Sequence, residues 1–196
     1  MTARQRIIVG ISGASGIIYG VRMLEALRKA GLETHLVMTR SAQLTLGLEM
    51  PLKPADVFAL ADFHHKVDNL AAAISSGSFA TIGMVVSPCS IRSLSEIATG
   101  VTSSLLTRAA DVVLKERRRL VLMVRETPLH LGHLRSMTQV TEMGAIVMPP
   151  VPAFYTMPQT IDDIVNHSVG RVLDLFGIES DLVRRWPASA PDTPAA

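Results

Sequence analysis

The sequence predicts a single-domain α/β protein, in which helices cover both faces of a parallel sheet. Short apolar runs alternate along the chain with segments of helical periodicity, as in repeated strand-helix units. Hydrophobic residues make up 48% of the chain, but aromatic residues only 4%. Strands buried on both faces have this composition, since they are built mainly from Val, Ile and Leu.

The same pattern places the individual elements. The predicted strands are residues 7–11, 34–38, 84–87, 120–124 and 145–148. The predicted helices are residues 17–30, 41–49, 54–61, 93–98, 103–118, 130–143 and 160–176. Gly31, Gly144 and Gly177 directly follow three of these helices, where glycine is the preferred C-terminal residue.

The chain length of 196 residues fits one domain. We predict a folded domain over residues 1–186. Residues 187–196 are rich in Pro and Ala and are predicted to be a disordered tail.

Composition also limits which partners the protein can bind and in which compartment it is found. The formal net charge of +2 is too small to indicate binding to nucleic acid. The single cysteine rules out an intrachain disulfide and favours a reducing cytoplasm. Three uncharged runs, residues 7–21, 69–91 and 143–161, contain several Gly, Ser or Pro residues, so we expect no membrane span.

The polar segments that follow the strands are candidate ligand contacts. In parallel sheets ligands bind at the carboxyl ends of the strands. This rule places residues 13–16, 39–41, 88–93 and 125–128 around one crevice.

The glycine-rich segment Gly10–Gly16 leads into the first predicted helix. Its backbone N–H groups could bind a phosphate, and Ser15 could cap the helix or contact an anion. The spacing matches neither the P-loop nor the dinucleotide motif. A tight strand-helix turn without a ligand is the alternative.

Basic side chains form a second kind of candidate site. Arg108, Asp111 and Lys115 share one face of the predicted helix 103–118, either as part of an anion site or as a salt-bridged surface. Arg125 and Glu126 directly follow a strand, a position that suits phosphate binding and proton transfer.

Tyr155 in the proline-rich loop 149–155 and Arg171 in the last helix are further anion candidates. We expect Cys89 to serve packing rather than nucleophilic catalysis. The pairs His64–His65 and His130–His133 lack carboxylate or Cys partners at ligand spacing, so no metal site is predicted.

Several of these segments together resemble the UbiX family of flavin prenyltransferases. The resemblance spans residues 6–178 and is carried by the glycine loop, Pro-Cys-Ser at 88–90, the helix at 105–118, Val-Arg-Glu-Thr-Pro-Leu at 124–129 and Pro-Pro-Val-Pro-Ala-Phe-Tyr at 149–155. It implies a flavodoxin-like fold and transfer of a dimethylallyl group from dimethylallyl monophosphate to N5 and C6 of reduced FMN. It also implies catalysis without a metal and a homododecamer. The prenylated FMN would serve a separate UbiD-type decarboxylase, with a link to ubiquinone biosynthesis.

The resemblance also assigns residues. It implies FMN contacts at Gly13, Ala14, Ser15, Thr39, Ser90, Ile91, Arg92, Ser93 and Arg125. It implies prenyl-phosphate contacts at Arg108, Lys115, Glu126, Tyr155 and Arg171. It implies catalytic roles for Ser15, Glu49, Lys115 and Glu126.

This sequence departs from the family pattern at one place. Some family members place a Trp shortly before the Ser-Gly-Ser of 76–78, against the prenyl group, whereas residues 69–74 here contain no aromatic side chain.

Two other functions fit parts of the sequence. A flavin-dependent cysteine decarboxylase would share the fold but carries a Pro-x-Met-Asn motif where this chain has Val-Arg-Glu-Thr-Pro. A flavin carrier or assembly subunit of a hydroxyarylic acid decarboxylase is the non-catalytic alternative.

Overall fold

A six-stranded parallel sheet forms the centre of the molecule. The computed structural model describes residues 4–186, and the predicted disordered tail at 187–196 lies outside them. The strands are β1 (Arg6–Ile11), β2 (Glu33–Met38), β3 (Phe63–His65), β4 (Gly83–Cys89), β5 (Arg119–Val124) and β6 (Ile146–Val147). Their order in the sheet is β3-β2-β1-β4-β5-β6, and all neighbours are parallel. The predicted α/β class is therefore confirmed.

Residues 4–186 contain seven helices, of which the first six lie between strands and the last follows β6. They are α1 (Ile17–Lys29), α2 (Arg40–Glu49), α3 (Pro54–Phe58), α4 (Ile91–Thr99), α5 (Leu105–Lys115), α6 (Leu131–Glu142) and α7 (Ile161–Leu175), with 3₁₀ turns at Ala73–Ser75 and Phe154–Thr156. No helix within residues 4–186 is long and apolar enough to span a membrane.

Alternation along the strands produces two separate cores. In β1, Ile7, Val9 and Ile11 pack with the buried faces of α1, α2, α3 and α7. Ile8 points to the opposite face and packs with α4, α5 and α6. Successive strand side chains face opposite sides of a sheet, so each central strand contributes to both cores.

The edge strand β3 was not predicted. It has only three residues, Phe63, His64 and His65, and lacks the apolar run that marks the other strands. Without β3, the other five strands have the flavodoxin-like order. The chain leaves β1 toward β2 on one side and reaches β4 on the other. This reversal opens a crevice at the carboxyl ends of β1 and β4.

Helix α5 is shorter than the predicted 103–118. Ser104 caps its first turn by accepting from Thr107 N at 3.3 Å. Arg117 has a φ of 55°, in the left-handed region that a helix cannot continue through. The helix therefore ends at Lys115, and Glu116 is its C-cap residue.

Candidate active site

A buried serine joins the loops at the carboxyl end of the sheet. Ser12, fully buried, donates through Oγ to the Pro88 carbonyl at 3.0 Å and accepts from Ser90 N at 2.7 Å. Arg125 N donates to the Cys89 carbonyl at 3.1 Å. The loops after β1, β4 and β5 are thus fixed together. Sequence reasoning missed Ser12, although a buried serine directly after a strand is the available signal.

The loop after β2 approaches the glycine loop closely. Thr39 N donates to the Ile11 carbonyl at 2.9 Å, and the Thr39 and Ser41 hydroxyls are 3.0 Å apart. A Cβ on Gly13 would lie 2.4 Å from Ser41 Oγ, so only glycine fits here. The structure therefore brings the polar segments after β1, β2, β4 and β5 around one crevice, where the sequence placed them.

The first turn of α1 differs from the expectation. Its N-cap is Gly16, with a φ of 96° and no side-chain cap, so Ser15 does not cap the helix. Glu49, from the end of α2, accepts instead from Gly16 N at 2.9 Å and from Ile17 N at 2.9 Å. These N–H groups, predicted to bind phosphate, already hold a carboxylate.

Glu49 is an ionised group in this position. Partial burial raises the pKa of its carboxyl, but hydrogen bonds from Ser15, Ile17 and Gly16 and the charge of Arg125 together hold that pKa below its ordinary value. A negative charge at a helix N-terminus is also favoured by the helix dipole. Glu49 therefore acts as a charged cap for α1 beside Ser15 and Arg125.

A neighbouring cavity is bordered by three helix N-termini. It has a volume of about 330 Å³ and is lined by Thr39, Arg40, Ser41, Val67, Asp68, Ser90, Arg92, Ser93, Glu96, Ser103 and Ser104. Three of these residues, Thr39, Ser90 and Ser104, are the N-caps of α2, α4 and α5. Three helix N-termini and several hydroxyl groups thus face one space, an arrangement that attracts a phosphate dianion.

Two arginines at this cavity are paired with carboxylates. Arg92 Nε lies 2.9 Å from Glu96 Oε1, and Ser103 Oγ donates to Glu96 Oε2 at 2.7 Å. Arg40 contacts Asp68 at 3.4 Å across the cavity wall. The Arg92 side chain is 84% exposed, so its guanidinium can turn toward a ligand without unfolding any element.

Arg108 and Lys115, the predicted prenyl-phosphate residues on α5, form a second basic group, called the α5 group below. Arg108 is paired with Asp111 at 2.7 Å, as its helical spacing suggested. Lys115 is paired at 2.6 Å with Glu116, not with Asp111.

Tyr155 and Arg171 form a third group, called the C-terminal group below because it includes residues at the end of the described chain. Arg171 contacts Asp174 at 2.7 Å, and the same carboxylate binds Arg185 at 2.9 Å. The Tyr155 ring packs edge-on against Trp186, with centroids 5.0 Å apart. Arg185 and Trp186 were missed by the sequence reasoning, although Trp186 is the one tryptophan in the chain.

The α5 group and the C-terminal group share no polar contact in the described part of the protomer. Among residues 4–186, no hydrogen bond or ion pair joins Arg108 or Lys115 to Tyr155 or Arg171.

Two further ionisable side chains, Glu126 and Tyr19, lie next to the crevice. Glu126 is exposed and accepts from Thr127 N at 3.1 Å. Burial raises the pKa of Tyr19 and outweighs the opposing effects of Arg125 and a Ser168 hydrogen bond, so the phenol is neutral. Tyr19, on the first turn of α1, is a further neighbour of Arg125 that the sequence reasoning missed.

Other reactive groups lie outside this arrangement. Cys89 is fully buried, and burial raises the pKa of its thiol to about 12, so no thiolate forms near neutral pH. Within residues 4–186, no three His, Cys, Asp or Glu side chains are clustered closely enough to hold a metal ion.

The fold and the cavity together define a class of protein. Helix N-termini around a polar cavity at a parallel-sheet switch point are the features of a mononucleotide-binding α/β protein. The model of the Flavoprotein family matches residues 1–173. The flavin prenyltransferase UbiX of Escherichia coli strain K12 is 62% identical over 185 residues, covering 93% of this chain and 98% of that protein. The chain therefore belongs to the UbiX-type flavin prenyltransferases within the Flavoprotein family.

Two solved structures are similar throughout. AnUbiX (PadA1), in complex with FMN and dimethylallyl pyrophosphate, is 48% identical with a TM-score of 0.94 and covers 95% of this chain and 100% of its own. A dodecameric FMN-dependent UbiX-like decarboxylase from Escherichia coli O157:H7 is 52% identical with a TM-score of 0.91, covering 93% of this chain and 100% of its own. These matches confirm the flavodoxin-like fold.

Proposed function

We propose that this protein is a flavin prenyltransferase, which transfers a dimethylallyl group from dimethylallyl monophosphate to N5 and C6 of reduced FMN. The observation that carries the proposal is the combination of a phosphate cavity built from three helix N-termini with two separate basic groups. The cavity is assigned to the phosphate of FMN, and the basic groups are assigned to the phosphate of the prenyl donor. The similarity to a protein described with both FMN and a dimethylallyl phosphate compound supports this division.

FMN is held by the crevice residues in this proposal. The hydroxyls of Thr39, Ser90 and Ser93 and the guanidinium of Arg92 bind the phosphate in the cavity. Gly13, Ala14 and Ser15, with Ile91 at the start of α4 and Arg125, contact the rest of the mononucleotide. The reduced flavin supplies the electron-rich N5 and C6 atoms that accept the prenyl group.

Arg and Lys side chains are assigned to the phosphate of the prenyl donor. Cleavage of an allylic C–O bond leaves phosphate with additional negative charge and a carbocation. Arg108, Lys115 and Arg171 stabilise the departing phosphate, and the Tyr155 hydroxyl donates a hydrogen bond to it. This arrangement needs no metal ion.

The Glu126 carboxylate is assigned to proton transfer. The second bond, at C6, requires removal of a proton from that carbon, and Glu126 accepts it directly or through the released phosphate. Glu49 remains a fixed negative charge that holds Ser15 and the first turn of α1 in place.

We assign the role of the missing aromatic residue near position 70 to the C-terminal segment. Trp186 and Tyr155 pack edge-on with their ring centroids 5.0 Å apart, and aromatic faces attract a cation. The Trp186 ring is therefore assigned to the prenyl cation.

The site is completed by a second subunit. Since no hydrogen bond or ion pair joins the α5 group to the C-terminal group among residues 4–186, we assign them to different protomers of a homo-oligomer. The dodecameric state of the similar UbiX-like decarboxylase supports this arrangement. Co-assembly of an Arg108→Ala chain with an Arg171→Ala chain should restore activity that each lacks alone. No recovery in the mixed oligomer would place both groups in one protomer's site.

The product, prenylated FMN, is assigned to a UbiD-type decarboxylase acting in the same compartment. The single buried cysteine favours the cytoplasm.

Incubation with reduced FMN and dimethylallyl monophosphate tests the function. Mass spectrometry of the extracted flavin should show the prenylated product. Unmodified flavin, bound with high affinity, would indicate the alternative of a carrier or assembly subunit.

A further inference from the structure

The turn at residues 76–79 is fixed to the end of α5 by Arg118, and the Glu116 side chain lies against it. Arg118 donates to the Gly77 carbonyl at 2.7 Å and to the Phe79 carbonyl at 2.7 Å. Glu116 approaches the same turn, since a Cβ on Gly77 would lie 2.1 Å from Glu116 Oε1. The turn and the helix end therefore form one unit, in which Gly77 leaves room for the Glu116 carboxylate.

Lys115 is part of this unit. Its Nζ lies 2.6 Å from Glu116 Oε1, and a Cβ on Gly77 would lie 2.9 Å from the same Nζ. The Lys115 side chain is 47% exposed and would otherwise sample many rotamers. The contact with Glu116 selects one direction, along the turn, and leaves two of its N–H groups free.

We propose that Glu116 is a positioning residue, which holds the Lys115 ammonium against the 76–79 turn so that it is oriented to receive the prenyl phosphate. This inference rests on the proposed function, in which Lys115 contacts that phosphate. Glu116 itself touches no substrate and acts through Lys115.

The electrostatics agree with this role. The hydrogen bond from Lys115 and its charge lower the pKa of Glu116, and Arg118 adds to this effect, so the carboxylate is ionised throughout the neutral range. Asp111, one turn earlier, is occupied by Arg108 at 2.7 Å and does not compete for Lys115. Each cation on this face therefore has its own carboxylate.

The test compares the steady-state kinetics of Glu116→Gln and Glu116→Ala with Glu142→Gln, a matched loss of charge on the exposed end of α6. Gln can still accept a hydrogen bond, whereas Ala cannot. We expect the KM for dimethylallyl monophosphate to rise about 3-fold in Glu116→Gln and about 10-fold in Glu116→Ala, the range for pre-ordering one long side chain. The Kd for FMN should stay unchanged, because the cavity that holds its phosphate lies at the other end of α5.

Two further variants test the contact between Glu116, Lys115 and the turn. Gly77→Ala introduces a Cβ that displaces both the Glu116 carboxylate and the Lys115 ammonium, so it should raise the KM at least as much as Glu116→Ala does. In a Lys115→Ala background, Glu116→Ala should have no further effect on KM.

An unchanged KM in Glu116→Ala, or an equal additional loss in the Lys115→Ala background, would overturn the inference. A wild-type enzyme that forms no prenylated flavin would instead contradict the proposed function, so the two failures are distinguishable.

Discussion

Replacing Glu49 tests whether a charged side chain caps α1. In Glu49→Ala, the N–H groups of Gly16 and Ile17 lose the acceptor that lies 2.9 Å from each of them. Loss of a helix cap costs about 0.5–2 kcal/mol of unfolding free energy. Glu49→Gln retains one hydrogen-bond acceptor and loses mainly the interaction of the charge with the helix dipole, about 0.3–1 kcal/mol.

Thermal unfolding at a fixed protomer concentration measures these losses. For a chain of this size, each 1 kcal/mol corresponds to about 2–4 °C in Tm. We therefore expect the Tm to fall by about 1–8 °C in Glu49→Ala and by roughly half as much in Glu49→Gln. Glu142→Gln, on the exposed surface of α6, is the control and should match wild type within about 0.5 kcal/mol.

The pH dependence gives a second check on the same residue. The pKa of Glu49 is lowered in the folded protein from an ordinary value of 4.5, so its charge stabilises the fold above that value. The stabilisation is lost as the pH falls through the lowered pKa. The Tm difference between wild type and Glu49→Gln should be constant above about pH 5 and shrink below it. A Glu49→Ala variant as stable as wild type, or a difference that grows in acid, would refute the charged cap.

Three other predictions follow from the structure. Glu126→Gln should retain FMN affinity but lower the single-turnover rate of prenylated flavin formation by a factor on the order of 10²–10⁴; weakened FMN binding with an unchanged rate would remove Glu126 from the catalytic residues. Turnover by the wild-type protein should continue in EDTA at the rate measured without EDTA. Loss of activity in EDTA that magnesium restores would contradict stabilisation of the phosphate by Arg and Lys side chains alone. Burial, together with the charges of His35 and His64, lowers the pKa of His65, so the fold should lose stability as the pH falls from 7 to 5. The Tm of His65→Gln should change less over that range; an equal change in both proteins would place the acid sensitivity elsewhere.

The elements were predictable because their signals are local. The five strands other than β3 are apolar runs, and α1 and α5 show apolar residues at helical spacing. The strand β3 has neither signal and forms because His35 and Phe63 are paired and their rings stack 4.8 Å apart, a contact between distant residues.

The candidate site was predictable only in part, for a related reason. Strand ends converge in any parallel sheet, so the crevice could be placed from the sequence. Glu49 at the N-terminus of α1 could not, because its carboxylate reaches Gly16 from 33 residues away. The pairing of Trp186 with Tyr155 likewise joins segments with no shared sequence pattern.

The most direct test of prenyl transfer is the stoichiometry of a single turnover. The holoprotein with reduced FMN is mixed anaerobically with dimethylallyl monophosphate, and released phosphate and prenylated flavin are quantified in the same samples. We predict that one phosphate appears for each flavin modified, and that both signals form far more slowly in Lys115→Ala than in the wild-type protein. Phosphate release without modified flavin, or flavin that stays unmodified in the wild-type protein, would contradict prenyl transfer.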